Sequence, residues 1–577
     1  MLAPARTARK VPVSGLLLAL ILGALLLGPA VARGDSASRG AAPAQYRGPS
    51  SEVTSRGLPI LEGGSFGGGE ASRVPEGWAR WEFWFEYEKD GILREVLRDR
   101  SSKVGNPAGD AVVAVALPSD ADVKDRILPA LRAALRDSDV AVRSAAAMAL
   151  GNARDRRSVL ALSEILERGS IGERRSAALA LGFLRDGDSV APLVRALDRD
   201  ADPDVRALAA LALGVTGDPA AAFALRQELA RSLEPQARAG REIRVAVVDG
   251  LGLLGDREAV PLLQRILVTT DARDDRLRAH AAKALGRIGD PAATPPLLRT
   301  VADDPDAGVR RAAALALGGF HDPAVVEALT RTVGGDGDVL VRGLAAVALA
   351  RAAGPAAGKT LVPLLDSKHD RSLRGFAAVA LGIARDASAA PALRKALEGR
   401  SEDSLRSAAA VALGILGDRA ALPRLWEIAR DASAPPEVRG YAILGAAMTG
   451  DADVATLVKE TLLSDAPREV LRSAALAAGI LPYPGSAATL VRLAFEHRDP
   501  TVRGAALLGF GLAPDRGPVA LLADIAGGRG GALERLEASV ALGQVSLSGG
   551  LPPVARIAAG LDWRESTSAL DRATRVF

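Results

Sequence analysis

"DVRALAALALGVTGD" (Asp204–Asp218) is mostly Ala and Leu, with one Arg, two Gly and an Asp at each end, and it carries no catalytic group. Relatives of it recur along the chain: "DVAVRSAAAMALGNARD" (139–155), "DRLRAHAAKALGRIGD" (275–290), "DAGVRRAAALALGGFHD" (306–322) and "DSLRSAAAVALGILGD" (403–418). Their arginines form a ruler: Arg143, Arg174, Arg206, Arg244, Arg278, Arg310, Arg342, Arg374, Arg406, Arg439, Arg472, Arg503 and Arg535. The gaps are 31 to 34 residues except for one of 38, between Arg206 and Arg244. Thirteen units of about 32 residues predict a solenoid, in which each unit buries its apolar faces against its neighbours.

Each position around the ruler has a physical reading. The residue before the Arg is apolar in eleven units, with Glu173 and Glu534 the exceptions. Three after it is Ala in twelve units, and six after it is always Ala or Gly, a small helix face that admits another helix closely. Seven after it is usually Leu, which fills a core. Twelve after it is Asp in ten units, often followed by Pro, and a second Asp sits four before the Arg in several. Asp at the N-cap with Pro at N1 starts a helix, so each unit has two starts. "SVAPLVRAL" supplies the other helix, with Val190, Leu193, Val194 and Leu197 at i, i+3, i+4, i+7.

The pattern D-x-x-V-R-x-x-A-A-x-A-L-G-x-x-G-D resembles the short HEAT-like repeat, also named after phycobilisome lyases, over about residues 121–560. The resemblance implies an all-α, right-handed α-solenoid of about thirteen two-helix repeats, a curved rod with two ends. It also implies an inter-repeat Asp–Arg ladder, with Asp202 and Arg206, Asp306 and Arg310, and Asp370 and Arg374 in the ladder roles. Pro435, Arg468 and Gly531 replace the ladder acid near the end of the array, which puts the ladder in question there.

Outside the array the composition changes. Arg6, Arg9 and Lys10 precede the apolar run Ser14–Ala32, which ends in Ala30-Val31-Ala32, so residues 1–32 read as an export signal cut after Ala32. An uncleaved anchor is the rival reading, and no later segment reads as a span. Export places the protein in the periplasm or cell envelope. Residues 33–77, rich in Gly, Ser, Ala and Pro, read as a disordered linker. The segment 78–120 opens with "GWARWEFWFEYEKDGIL", and Trp81, Trp84, Phe85 and Glu88 fall at helical spacing. Two readings stand: a helix capping the apolar end of the first unit, or a docking site of exposed aromatics built on Trp78, Trp81, Trp84 and Phe85. Similar aromatic segments precede HEAT-like arrays in some bacterial proteins. Residues 561–577 depart from the repeat and read as a C-terminal tail or cap.

Charge and chemistry point away from catalysis. There is no cysteine, hence no disulfide, thiol catalysis or thiolate metal site. Beyond residue 32, 70 Lys and Arg face 69 Asp and Glu, a net of +1, which argues against nucleic acid as partner. His280, His321, His369 and His497 are scattered. HEAT-like deoxyhypusine hydroxylases bind iron through His-Glu pairs, whereas Ala281, Asp322, Asp370 and Arg498 follow the histidines here. The expectation is a non-enzymatic exported scaffold without cofactor or metal. It would bind another macromolecule, a protein, and touch a membrane only through an uncleaved N-terminal segment. An accessory enzyme subunit and an envelope polysaccharide binder are the alternatives, the latter hinted at by Phe376 and Tyr441. One local break stands out. Five after the ruler Arg is apolar in eleven units and polar only at Asp249 and Lys283, and His280 shares a helix face with Lys283. These three are either an ion pair replacing an apolar contact or a polar notch that orients a partner.

Overall fold

The computed structural model describes residues 81–103, 119–234, 240–268, 275–366, 370–398, 401–481, 483–513 and 517–546. The chain divides into two units, 1–45 and 46–577; the first lies outside the described residues, and the following concerns the second. The signal, the linker, Trp78, His369 and the C-terminal tail also fall outside them. Among the described residues there is no strand.

Every ruler arginine sits in the first turns of an inner helix, from Val140–Asn152 in unit 1 to Ala532–Val545 in unit 13. Each is preceded by an outer layer of helix, such as the strongly amphipathic Val190–Arg199. The Asp four before the Arg starts the inner helix: Asp202 accepts from the Val205 N–H, Asp306 from Val309 and Asp338 from Leu340 and Val341. The "GxxGD" ending is a Schellman turn. Gly417 lies in the left-handed region (φ 71°), its N–H bonds Gly414 O, and the Asp418 N–H reaches back to Leu413 O. The same Asp position then opens the next outer helix, as where Asp218 accepts from Ala220 and Asp290 from Ala292. In three units the left-handed position is not Gly but Arg154, Arg185 or Arg385, at a cost of about 1–2 kcal/mol each.

Inner helices touch backbone to backbone. In most units the residue eight after the ruler Arg is Gly and faces the Ala or Gly six after the next one: a Cβ on Gly182 would lie 2.6 Å from Ala212 O, and one on Gly382 would lie 2.8 Å from Ala412 Cα. Outer helices, with bulkier surfaces, make few contacts with each other. Close spacing in one layer and wide spacing in the other bends the stack, with the inner helices on the concave side.

The bend runs to closure. The inner helix of unit 13 packs against that of unit 1 as fully as sequential neighbours do. A Cβ on Gly543 would lie 2.9 Å from Ala149 Cα, which repeats the Gly–Ala contact of the internal interfaces. Arg535 Nε donates to Asp137 Oδ2 at 2.6 Å and Nη2 to Oδ1 at 2.9 Å. The Arg535 guanidinium holds the Asp137 carboxyl below its ordinary value. The solenoid expectation holds, but an open rod with two ends does not: the array is a ring with a non-covalent seam between units 13 and 1. Outside the seam, Asp125 and Arg126 of unit 1 face Ala520, Asp524 and Arg529 of unit 13 across a cleft of about 500 Å³.

Closure explains why the aromatic segment does not cap the first unit. That segment is helical as expected, α1 (Trp81–Lys103), but the end it would cover is already covered by unit 13. Val339–Asp366 is also apolar and long enough to cross a membrane by composition, contrary to the sequence reading. It is the inner helix of unit 7 plus the short helical segments 354–366 that form the outer layer of unit 8, divided at Gly354 (φ 55°). The 38-residue gap is taken up partly by the outer helix Pro219–Ser232, and residues 235–239 within it lie outside the described residues.

Candidate functional site on the inner face

Positions three and seven after the ruler Arg turn toward the outer layer, so positions one, two and five face the ring's centre. On this face positions one and two vary most, position five being apolar in eleven units, and α1 lies against it. It rests on the inner helices of units 8 and 9, Arg371–Ile383 and Asp403–Leu416. Trp81 Nε1 donates to Ser404 O at 3.0 Å, and its ring lies 5.2 Å from that of Tyr441 in unit 10. Phe85 stacks edge-on against Tyr441 at 5.9 Å. The other end is held by charge: Arg351 reaches Glu88 at 3.2 Å, and Arg385 reaches Glu95 at 3.1 Å and Asp99. Trp81, Trp84 and Phe85 are buried, so they are not an exposed aromatic docking site. Tyr441 is engaged by α1 and Phe376 is fully buried, so neither forms the exposed aromatic face that a polysaccharide binder needs.

At Gly375 the acceptor surface leaves room for this helix. Position one is Gly in units 7, 8, 10 and 12, where other units carry Ser, Arg, Ala, Val or Leu. A Cβ on Gly375 would lie 2.3 Å from Trp81 Cδ1, and one on Gly343 would lie 2.5 Å from the Phe376 ring.

Asp249, His280 and Lys283 come together as the sequence suggested. Asp249 Oδ2 meets His280 Nδ1 at 2.9 Å, and Oδ1 lies 3.2 Å from Lys283 Nζ. All three are buried, at 3, 1 and 6 % exposure. Burial pushes the Asp249 carboxyl up, but the charges of His280, Lys283 and Arg287 outweigh it and hold the group well below the carboxylate range. The cluster ties unit 4 to unit 5. At this exposure it presents no notch to a partner, which favours the ion-pair reading.

The ladder is present but built differently from the expected pairs. Asp202 caps its helix and accepts from Arg175 of the preceding unit at 3.2 Å, while Arg206 donates to Leu197 O. Asp306 only caps, and Arg310 instead reaches forward to Asp336 at 2.8 Å. Asp370 does take Arg342 of the preceding unit, whereas Arg374 donates to Leu365 O and stands 3.9 Å from Glu402. The rule is therefore Arg of one unit to an acid at the start of the next, usually six before its ruler Arg: Arg174–Asp200, Arg278–Asp304 and, across the seam, Arg535–Asp137. Asp four before the Arg is committed to capping, which is why it is a poor guide to the ladder. The ladder also persists late in the array, where Arg503 meets Glu537 at 2.8 Å. A second ladder, not foreseen, links outer-helix arginines to the turn Asp: Arg132–Asp155, Arg226–Asp256 and Arg394–Asp418.

The model for HEAT repeats matches residues 93–182, 159–241, 232–318, 296–382 and 359–435, more than half of the chain. The chain belongs to the HEAT-repeat family. No curated protein matches it. Among solved structures it is similar to human deoxyhypusine hydroxylase (20% identity, 45% of this chain and 96% of that one, TM-score 0.22). It is also similar to the complex of CpcE and CpcF of phycocyanin lyase from Nostoc sp. PCC7120 (22%, 54% and 98%, TM-score 0.27). A third is the karyopherin Kap121p bound to the extreme C-terminus of the protein phosphatase Cdc14p (13%, 76% and 54%, TM-score 0.35). At these scores the likenesses carry no functional argument. Among the described residues, no three His, Asp or Glu side chains group as metal ligands.

Proposed function

We propose that this HEAT-repeat ring is a non-enzymatic, exported scaffold that binds another protein. The carrying observation is the seat of α1: the inner face of units 7 to 10 holds a helix through residues at positions the repeat leaves variable. HEAT stacking fixes the ring with Ala, Leu and Gly, and a specific surface is then set by substitutions at variable positions such as those of Gly375, Tyr441, Arg351 and Arg385. The basic, then apolar, N-terminal run Arg6–Ala32 supports export.

The test has two arms. N-terminal sequencing of protein recovered from the cell envelope should begin at Arg33; protein retained in the cytoplasm with an intact N-terminus would overturn export. Affinity capture from the envelope should return a protein lost on Gly375→Leu, which blocks the α1 seat. Capture of the same protein by both chains would place the binding surface elsewhere, and capture of none would overturn the scaffold reading.

A further inference from the structure

We infer that the centre-facing surface of units 7 to 10 is a receptor groove for an amphipathic, acid-rich helix of a partner protein, and that α1 is its tethered, exchangeable occupant. This rests on the protein-binding reading and names the chemistry of the partner.

Four observations carry it. First, the ring does not need α1 in order to stack. Units 8, 9 and 10 already meet through the common backbone contacts, Gly382 against Ala412 and Gly414 against Gly445. Second, room for the docked helix is made at a cost to the helix that receives it: Gly375 sits inside a helix, where Gly is unfavourable, and the space its missing side chain leaves is filled by Trp81. Third, Arg385 holds the acidic end of α1, its guanidinium meeting Glu95 and Asp99, from a position that carries Gly in units 3, 4, 5, 9 and 10.

Fourth, the contacts of α1 form one stripe. Trp81, Trp84, Phe85, Glu88, Glu95 and Asp99 fall at i, i+3, i+4, i+7, i+14 and i+18, on one face of a helix. The aromatic end meets Tyr441 and Ser404, and the acidic end meets Arg351 and Arg385. The groove therefore recognises aromatic anchors followed by carboxylates at helical spacing, a helix-in-groove mode. The occupant is joined to the ring by the same chain, so a partner must compete with a tether whose effective concentration is on the order of millimolar.

The probe is a labelled synthetic peptide of residues 81–103, added to the full chain. Wild type should bind it weakly, because α1 competes in cis. A chain carrying Trp81→Ala and Asp99→Lys should bind it saturably, since its own α1 is loosened and the groove is intact. Adding Arg385→Gly to that chain should weaken the peptide about tenfold, the size of two partly exposed ion pairs, with the ring unharmed because Gly is the usual residue there. No binding to the loosened chain, with the inner helices 371–416 still protected from amide exchange, would overturn the inference. So would binding indifferent to Arg385→Gly.

A measurement on wild type guards against misfolding of the variants. Amides of α1 should exchange in a separate, faster opening than those of 371–416; opening only together with the ring would overturn exchangeability. Native mass measurement should give a monomer, whereas a dimer swapped through α1 would make a second copy the occupant and overturn the partner assignment. A protein captured by wild type and by Gly375→Leu alike, with the peptide unbound, leaves the scaffold reading standing and sinks this one.

Discussion

Ring closure makes a prediction that no open solenoid shares. Gly543 faces Ala149 across the seam as Gly382 faces Ala412 inside the array, with the added Cβ 2.9 and 2.8 Å from the opposing Cα. Ordinary contact is about 3.5–4.0 Å, and the obstacle is backbone, so a larger residue must push the units apart. At Gly382 the units are joined by chain, and Gly382→Leu is expected to cost about 1–3 kcal/mol of strain. At Gly543 nothing covalent holds the units, so the same wedge is relieved by opening. Arg535→Glu adds the loss of two charge-assisted hydrogen bonds, about 1.5–3 kcal/mol, and sets a carboxylate against Asp137. Together they bias the seam by roughly 3–6 kcal/mol, enough to shift a closed ring to an open arc.

The chain has no cysteine, so labels at Leu533→Cys and Val140→Cys, exposed on either side of the seam, are unique. Resonance energy transfer between them should be high in wild type and in Gly382→Leu, and should collapse in Gly543→Leu with Arg535→Glu. Scattering should show an increased maximum dimension in the latter alone. Equal transfer in all chains, or an elongated wild type, would refute closure.

Further expectations concern individual contacts. Exchanging the seam charges, Asp137→Arg with Arg535→Asp, should restore much of what either single change loses, with a coupling of about 1–3 kcal/mol in a double-mutant cycle. Because the Asp137 carboxyl is held below its ordinary value, its contribution is complete above about pH 4 and is lost as pH falls, so the label signal should report a seam that weakens in acid. Asp249→Leu leaves Lys283 and His280 buried without their carboxylate and should cost about 3–5 kcal/mol; Asp249→Leu with Lys283→Leu should cost less, read as amide protection of 241–288. Burial pushes the Glu537 carboxyl up to about 7 despite Arg503. The folded state thus binds the extra proton between about pH 4.5 and 7, and local stability of 500–545 should fall as pH rises through that window, by up to about 3 kcal/mol. Glu537→Gln should flatten that slope.

What the sequence made legible was local. The ruler arginine, the Ala at three and six, the Asp caps and the "GxxGD" turn each follow from contacts within a unit or with the next one, and all are found where expected. The Asp249–His280–Lys283 cluster was legible for the same reason, since equivalent positions in adjacent units are neighbours. The helix of α1 was legible from the spacing of Trp81, Trp84 and Phe85, but its seat some three hundred residues away was not, because nothing periodic links Trp81 to Ser404. Gly375 makes room for Trp81, but Gly504 holds the same position in unit 12, so a helix-interior Gly alone does not mark the seat.

Closure itself depends on a quantity that the pattern does not state. Thirteen units return to their start when each turns by roughly 28°, and curvature in a repeat protein is set by that small rotation. The repeat letters do not encode it, since a few degrees either way at each step gives an open superhelix from the same pattern. One mark of closure was nevertheless present. A terminal repeat facing water needs a polar outer surface, yet the end units keep the stacking residues of internal ones: Ala149 at position six in unit 1 and Gly543 at position eight in unit 13. Their ladder groups match as well: Arg535 of unit 13 and Asp137 of unit 1 are each other's partner at 2.6 Å. Two ends that both retain stacking faces, one ending a ladder with a base and the other opening it with an acid, are complementary to each other, and the chain satisfies both by bringing them together.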